Sequence, residues 1–272
     1  MNYRHGYHAG NFGDCVKHAL LVWLMRALTR KPAPLFVLDT HAGAGAYDLR
    51  ANPAERTGEW RGGIGRLLED TPEVLGDYVG LVRRLGLYPG SPMLARALLR
   101  PGDRMACCEL HPEEYSALRR RFGRDPLVGV HRRDAWEALG ALLPPSERRA
   151  LVLIDPPFEA VDEFGRLLAG VRTGHGRFRA GVFAAWYPIK HRAPVRAFLT
   201  GMRESGMRDV VAAEIWLREP LDAARLNGCG LLVVNPPFGF AVEVPVILSA
   251  LLDRLGGRES GEGTAVIRLA DE

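Results

Sequence analysis

Leu35-Phe36-Val37-Leu38-Asp39-Thr40-His41-Ala42-Gly43-Ala44-Gly45 joins a short apolar run to a loop of small residues, and the fold is read outward from it. The run over 35–39 has the length and composition of a buried strand. Glycines at 43 and 45 let the loop turn tightly and bring its backbone close to a ligand. The spacing G-x-G-x-x-D lacks the third glycine of the dinucleotide fingerprint, and no constellation for hydride chemistry appears elsewhere, so a dehydrogenase is disfavoured.

Similar apolar runs cover 105–109, 127–131, 150–155, 181–186, 210–217, 230–235 and 264–269, with helical patterns between them. This alternation predicts an α/β fold, a mostly parallel sheet wrapped on both faces, with ligands beyond the C-terminal ends of its strands. The first run ends at Asp39 and the second begins near Met105, whereas a βαβ unit returns to the sheet within roughly 30 residues. The stretch 46–99 shows no strand run and has helical patterns at 64–68, 74–85 and 93–99. We expect one domain over 1–272 with a small helical insertion at about 46–99. The only flexible-looking stretch is 256–263.

A chain of 272 residues with 47% apolar and 25% charged residues can bury a large core. No apolar run approaches the roughly 18–20 residues of a membrane span; the longest, 19–28, is interrupted by Arg26. The N-terminus lacks the apolar core and cleavage site of a signal peptide, so cytoplasmic residence is expected. Cys15, Cys107, Cys108 and Cys229 have no CxxC spacing and no His partner pattern, which predicts reduced core thiols, no zinc site and no disulfide framework. The 36 basic residues comprise 33 Arg and 3 Lys at a net charge of +4, a balance that permits a nucleic-acid partner without demonstrating one.

The residues after successive strand runs carry the chemistry. Glu109 can accept both hydroxyls of a ribose, and Asp134 can accept from an adenine amino group. Three acidic groups after three strands, with a glycine loop after the first, suit S-adenosylmethionine better than a phosphate-rich cofactor, because its charge lies on a sulfonium and an amine. Leu151-Val152-Leu153-Ile154-Asp155-Pro156-Pro157-Phe158 is the most specific feature. An exocyclic adenine amine is a poor nucleophile because its lone pair is delocalised into the ring. Asp155 and the carbonyl of Pro156 can accept its two hydrogens and localise that lone pair, the prolines fix the turn, and Phe158 can stack on a base flipped from its strand. Leu231-Leu232-Val233-Val234-Asn235-Pro236-Pro237-Phe238 has the same shape. We favour Asp155, since it follows the fourth strand, beside the glycine loop, whereas Asn235 follows the penultimate strand on the far side of the sheet.

His8-Ala9-Gly10-Asn11-Phe12-Gly13-Asp14-Cys15-Val16-Lys17-His18 opens a helix whose Asp14, Lys17 and His18 share one face. On spacing alone this is a solvated first turn whose polar groups can edge a pocket.

Together with Tyr3-Arg4-His5, Leu38 to Gly45, Glu55-Arg56-Thr57-Gly58-Glu59, Tyr88-Pro89-Gly90-Ser91-Pro92, Glu109-Leu110-His111-Pro112 and Ile154-Asp155-Pro156-Pro157, this segment resembles the RlmJ family. Those proteins are bacterial methyltransferases of adenine N6 in 23S ribosomal RNA. The match runs in order across nearly the whole chain, and the N-terminal and Ser91 stretches are not shared by methyltransferases in general. The resemblance implies a Rossmann-like class I S-adenosylmethionine methyltransferase sheet with a helical insertion. It implies cofactor contacts at His18, His41, Ser91, Glu109, Asp134, Ala135 and Asp155, beside the Gly43 and Gly45 loop. It makes Asp155, with Pro156 and Phe158, the catalytic motif, with Asp155 described as proton acceptor, and puts Tyr3, His5 and Lys17 on the substrate side. This chain departs from the family at Phe158, where Tyr is common, and at Ala135, where Gly is usual. The expected partner is 23S rRNA, protein-free or in an early assembly intermediate, for a monomeric enzyme away from membranes. Two alternatives remain: adenine-N6 methylation of DNA, which the same motif serves, and a silent RNA-binding protein, which predicts a damaged motif where this one is intact.

Overall fold

The computed structural model describes residues 5–51 and 54–272 and is built on an eight-stranded sheet. Its strands are β1 (Phe36–Asp39), β2 (Arg104–Cys108), β3 (Val128–His131), β4 (Ala150–Ile154), β5 (Val182–Ile189), β6 (Val210–Trp216), β7 (Gly228–Val234) and β8 (Gly263–Ala270). They lie in the order β8-β6-β7-β5-β4-β1-β2-β3. β1 to β5 are mutually parallel, while β7 runs antiparallel between β5 and β6, and β8 antiparallel along β6. Strand order reverses where β1 pairs with both β2 and β4, and a crevice opens there at the C-terminal edge.

The inner strands are apolar on both faces because both faces are covered. The helices are α1 (Phe12–Thr29), α2 (Ala54–Thr57), α3 (Ile64–Glu69), α4 (Gly76–Leu85), α5 (Ser91–Leu98), α6 (Pro112–Phe122), α7 (Ala135–Ala141), α8 (Glu163–Arg177), α9 (Arg192–Arg203) and α10 (Phe240–Leu255). Val37, Leu151 and Leu153 point into a core shared with α1, α5 and α10, and the alternate residues Phe36, Leu38, Val152 and Ile154 into one shared with α7, α8 and α9. All four cysteines are free and buried. Among the described residues, no helix is long and apolar enough to cross a membrane.

Between β1 and β2 lie helices α2 to α5, but the stretch is not free of strand: Ala46–Tyr47 pairs antiparallel with Tyr88–Pro89. Two residues per strand are too few to print a period-two pattern. The pair matters to the site. The Gly90 N–H donates to the Gly45 carbonyl at 2.9 Å, which starts α5 beside the β1 loop and sets Ser91 against Asp39. The N-terminal segment is held on the same side, since the Ile64 N–H donates to the Gly10 carbonyl at 2.9 Å.

A Cβ on Gly63 would lie 2.1 Å from the Gly10 oxygen and 2.6 Å from the Asn11 carbonyl carbon, both backbone atoms that cannot step aside. Gly63→Ala is therefore expected to destabilise the protein by about 2–3 kcal/mol through overpacking, read as a fall in the urea midpoint. An unchanged midpoint would show that the two segments do not approach this closely.

Candidate functional site

A cavity of about 760 Å³ opens at the C-terminal ends of β1 to β5 and is roofed by residues 5–12 and the start of α1. Each strand end contributes: His41 after β1, Glu109 after β2, Asp134 after β3, Asp155 to Phe158 after β4, and Trp186 and Pro188 on β5.

One line of charge crosses it. Asn11 caps α1 by accepting the Asp14 N–H at 3.0 Å, which turns the Asp14 side chain inward. Asp14 accepts from His5 Nε2 at 2.9 Å, from the Gly10 N–H at 3.0 Å and from Lys17 Nζ at 2.9 Å. Lys17 Nζ then donates to Asp155 Oδ2 at 2.6 Å. Asp14 and Lys17 are only 4% and 5% exposed, which overturns the solvated first turn expected from their spacing. Burial acts to raise the Asp14 carboxyl, but His5 and Lys17 outweigh it and hold the group well below the usual carboxylate range. Burial likewise acts to lower the Lys17 ammonium, and the Asp14 and Asp155 carboxylates outweigh it and raise it.

The two histidines near the glycine loop are neutral. Burial pushes His18 down to about 3 and His41 down to about 4. His18 Nδ1 lies 2.9 Å from the Tyr88 hydroxyl, and its Nε2 has no protein partner among the described residues. His41 Nδ1 lies 2.8 Å from Thr40 Oγ1 and 3.3 Å from the Asp155 amide, with its ring edge-on to Trp136. Ser91 Oγ donates to Asp39 Oδ2 at 2.6 Å. Burial nevertheless raises the Asp39 carboxyl to about 6, against the Ser91 hydrogen bond and with the help of nearby Asp155.

Glu109 accepts the Gly43 N–H at 2.9 Å and the His111 N–H at 2.7 Å, so it fixes the loop it faces. Gly43 has φ 59°, and a Cβ there would strike the Tyr47 hydroxyl at 2.3 Å. Gly45 does not line the cavity; its φ of 84° and its contact with Leu118 and Phe122 make it a turn and packing residue. Asp134 caps α7 through Oδ1, which accepts the Trp136 and Glu137 N–H groups, and its Oδ2 has no partner among the described residues. Ala135 is the buried first residue of that helix.

The structure brings His5, Lys17, His18, His41, Gly43, Ser91, Glu109, Asp134, Ala135, Asp155, Pro156 and Phe158 to this one cavity. Tyr3 lies outside the described residues. Phe158 adopts φ 52°, and its ring packs 4.9 Å from Phe164 and 6.0 Å from Trp186. The competing Asn235 is at the opposite edge of the sheet, because β7 runs the other way; its Nδ2 donates to the carbonyls of Arg179 at 2.7 Å and Gly181 at 2.8 Å. Sequence reasoning passed over Asp14 as a site residue, Asp39, Tyr88 and Trp186. Trp186 could have been found by carrying the strand-end rule to the fifth strand, which runs on to Ile189, past the end expected for it.

A family model described as "Ribosomal RNA large subunit methyltransferase D, RlmJ" matches residues 32–267. The "Ribosomal RNA large subunit methyltransferase J" of Haemophilus influenzae strain Rd is 37% identical, over 97% of this chain and 97% of that protein. The protein of the same name from Escherichia coli strain K12 is 36% identical over the same shares. A crystal structure of a Legionella pneumophila protein superposes with a TM-score of 0.88 at 34% identity, covering 96% of this chain and 98% of that one. A probable spermidine synthase from Corynebacterium glutamicum shares the fold at a TM-score of 0.51 and 18% identity, over 92% of this chain and 74% of that one.

The buried charge line makes two predictions. Lys17→Met leaves buried Asp14 and half-buried Asp155 without their cation and should cost about 3–5 kcal/mol. Adding Asp155→Asn should recover part of that loss in thermal unfolding; no recovery would assign the loss to packing of the lysine stem. For Asp39, the folded value of about 6 lies above the ordinary carboxyl value of 3.8, so its contribution to stability is present below pH 4 and lost as pH rises through 6. Wild type should therefore lose about 2–3 kcal/mol more than Asp39→Asn between pH 4 and 7. Parallel urea midpoints across that range would mean that Asp39 ionises without cost.

Proposed function

The chain belongs to the RlmJ family of ribosomal RNA large-subunit methyltransferases, and from that premise we propose that it methylates the N6 amino group of an adenine in 23S rRNA, using S-adenosylmethionine. The observation that carries this reading is the placing of Asp155-Pro156-Pro157-Phe158 in one cavity with Glu109 and Asp134, at the point where strand order reverses.

The cavity fits the cofactor. Its volume of about 760 Å³ is that of a pocket for a ligand of this size, and Glu109 and Asp134 in its wall offer acceptors for the hydroxyls and amine of an adenosine. Glu109 would hold the ribose hydroxyls, the unpartnered Oδ2 of Asp134 the adenine amino group, and the His18, His41 and Ser91 side the rest. When bound, S-adenosylmethionine supplies an electrophilic methyl group on a sulfonium.

The chain's own residues do the remaining work. Lys17 occupies Asp155 Oδ2, which leaves Oδ1 as an acceptor with no partner among the described residues. Oδ1 and the Pro156 carbonyl accept the two hydrogens of the target amine, so its lone pair points at the methyl donor. This makes Asp155 a hydrogen-bond acceptor that orients the amine, and the amine, cationic once it has taken the methyl group, releases its proton to solvent. Phe158 and Trp186 wall the chamber in which a flipped adenine would stack. Lys190 and Arg258 line the mouth without a carboxylate partner among the described residues, a placement suited to RNA phosphates. His5 continues the line from Asp14 along the roof of the cavity. Extruding a base requires an accessible strand, so the substrate is rRNA that is protein-free or in an early assembly intermediate, met in the cytoplasm by a monomeric enzyme.

The test is methyl transfer from labelled S-adenosylmethionine to protein-free large-subunit rRNA, followed by nucleoside mass spectrometry. N6-methyladenosine should form with wild type and with Asn235→Ala, and fall by about a hundredfold or more with Asp155→Asn. Near-normal turnover of Asp155→Asn would sink the catalytic assignment. Label appearing only in DNA would retire the RNA substrate.

A further inference from the structure

Behind the cavity, a buried line of hydroxyl groups leads into the ring of His18. Tyr78 and Tyr88 are each 2% exposed, with their oxygens 3.1 Å apart, and the Tyr88 oxygen is 2.9 Å from His18 Nδ1. The Tyr88 hydroxyl has one proton and two neighbours to give it to. An imidazole lone pair is a stronger acceptor than a phenol oxygen. On the far side of Tyr78 stands the Cys15 thiol, whose sulfur is a weak acceptor and whose own proton faces the Gly10 carbonyl at 3.7 Å. Either hydroxyl can donate across the 3.1 Å contact, and it is the pairing of the more acidic phenol with the more basic imidazole that orders the line from Tyr78 to Tyr88 and from Tyr88 to Nδ1. A neutral ring that accepts at Nδ1 carries its single proton on Nε2. Nε2 is a buried nitrogen that no group among the described residues satisfies, on a side chain that lines the cavity. A buried donor left without an acceptor is costly, so a ligand acceptor is called for there.

We infer that the Tyr78–Tyr88 pair fixes His18 as its Nε2–H tautomer, a neutral donor for the carboxylate at the amino-acid end of the cofactor, with Tyr88 a positioning residue for cofactor binding. This rests on the S-adenosylmethionine reading above. A carboxylate is the acceptor that the position selects: Glu109 and Asp134 are themselves acceptors and serve the hydroxyls and amine of the adenosine, whereas His18 stands on α1, away from those strand ends. Burial keeps the ring neutral, with its pKa at about 3, so the tautomer alone decides whether it donates or accepts.

The experiment uses the full chain and two probes, S-adenosylhomocysteine and 5′-methylthioadenosine, the second lacking the amino acid and its carboxylate. Tyr88→Phe should weaken S-adenosylhomocysteine about tenfold, the scale of one misdirected hydrogen bond, and leave methylthioadenosine within about twofold. Nitrogen NMR of the histidine rings in the ligand-free protein should show His18 protonated on Nε2 in wild type and a mixture of tautomers in Tyr88→Phe. His18→Gln presents an amide donor in the same place without needing a tautomer, so adding Tyr88→Phe to it should cost nothing further. A wild-type His18 protonated on Nδ1, an equal loss for both ligands, or an unchanged affinity for S-adenosylhomocysteine would each overturn the relay. Failure of wild type to bind either ligand would overturn the cofactor reading beneath it, a result distinct from any of those.

Discussion

The ammonium of Lys17, held between the carboxylates of Asp14 and Asp155, is the contact on which the rest of the site depends. Bringing three charges out of water is expensive, and only close geometry with further hydrogen bonds offsets the cost. Every neighbour contributes to that geometry. Asn11 caps α1 and aims Asp14 inward, the Gly10 amide and His5 satisfy its second oxygen, and Gly63 lets the chain carrying Gly10 lie against α3. The N-terminal segment is thereby fastened to the end of β4, and the roof of the cavity is fixed to its floor. Removing the cation alone leaves a buried and a half-buried carboxylate without their shared partner, which is why the arrangement holds as a unit.

Charge is sorted within the cavity by what surrounds each group. Near Asp155, ionic partners outweigh burial and the charged forms persist at Asp14 and Lys17. A few residues away burial wins, so that His18 and His41 are neutral and Asp39 is raised to about 6. Neutral imidazoles would spare the proposed sulfonium cofactor the repulsion that imidazolium groups would impose, while the ionised end would offer the proposed amine an acceptor. One cavity thus has a face suited to a positively charged cofactor and a face suited to a neutral nucleophile.

The parallel half of the sheet was legible because strands covered on both faces print as unbroken apolar runs, and β1 to β4 fell within a residue or so of expectation. The acidic residues after those strands followed, since a strand end fixes where the next side chains go. What failed to print is equally specific. β7 is as apolar as its neighbours, so composition says nothing of its reversed direction. Lys17 and Asp155 are 138 positions apart, and their contact exists only once α1 lies over the β4 end. Gly45 shares the glycine pattern with Gly43 yet is spent on the turn, a distinction that only the positions of Leu118 and Phe122 make.

The two Pro-Pro-Phe motifs show how little the residues alone determine. In each, one residue adopts a left-handed backbone, but not the same one: it is Phe158 after the prolines in the first motif and Asn235 before them in the second. Asn accepts that conformation readily, and it turns the Asn235 amide back onto two carbonyls of its own chain, leaving Phe238 98% exposed. A phenylalanine held there costs on the order of 1–3 kcal/mol, and the packing of its ring on Phe164 and Trp186 offsets that strain. With the strain placed after the prolines, Asp155 itself is free of it and projects from the strand end toward Lys17. Parallel direction at β4 puts this turn at the cavity and antiparallel direction at β7 puts its counterpart at the far edge, so strand direction is what separates the two motifs.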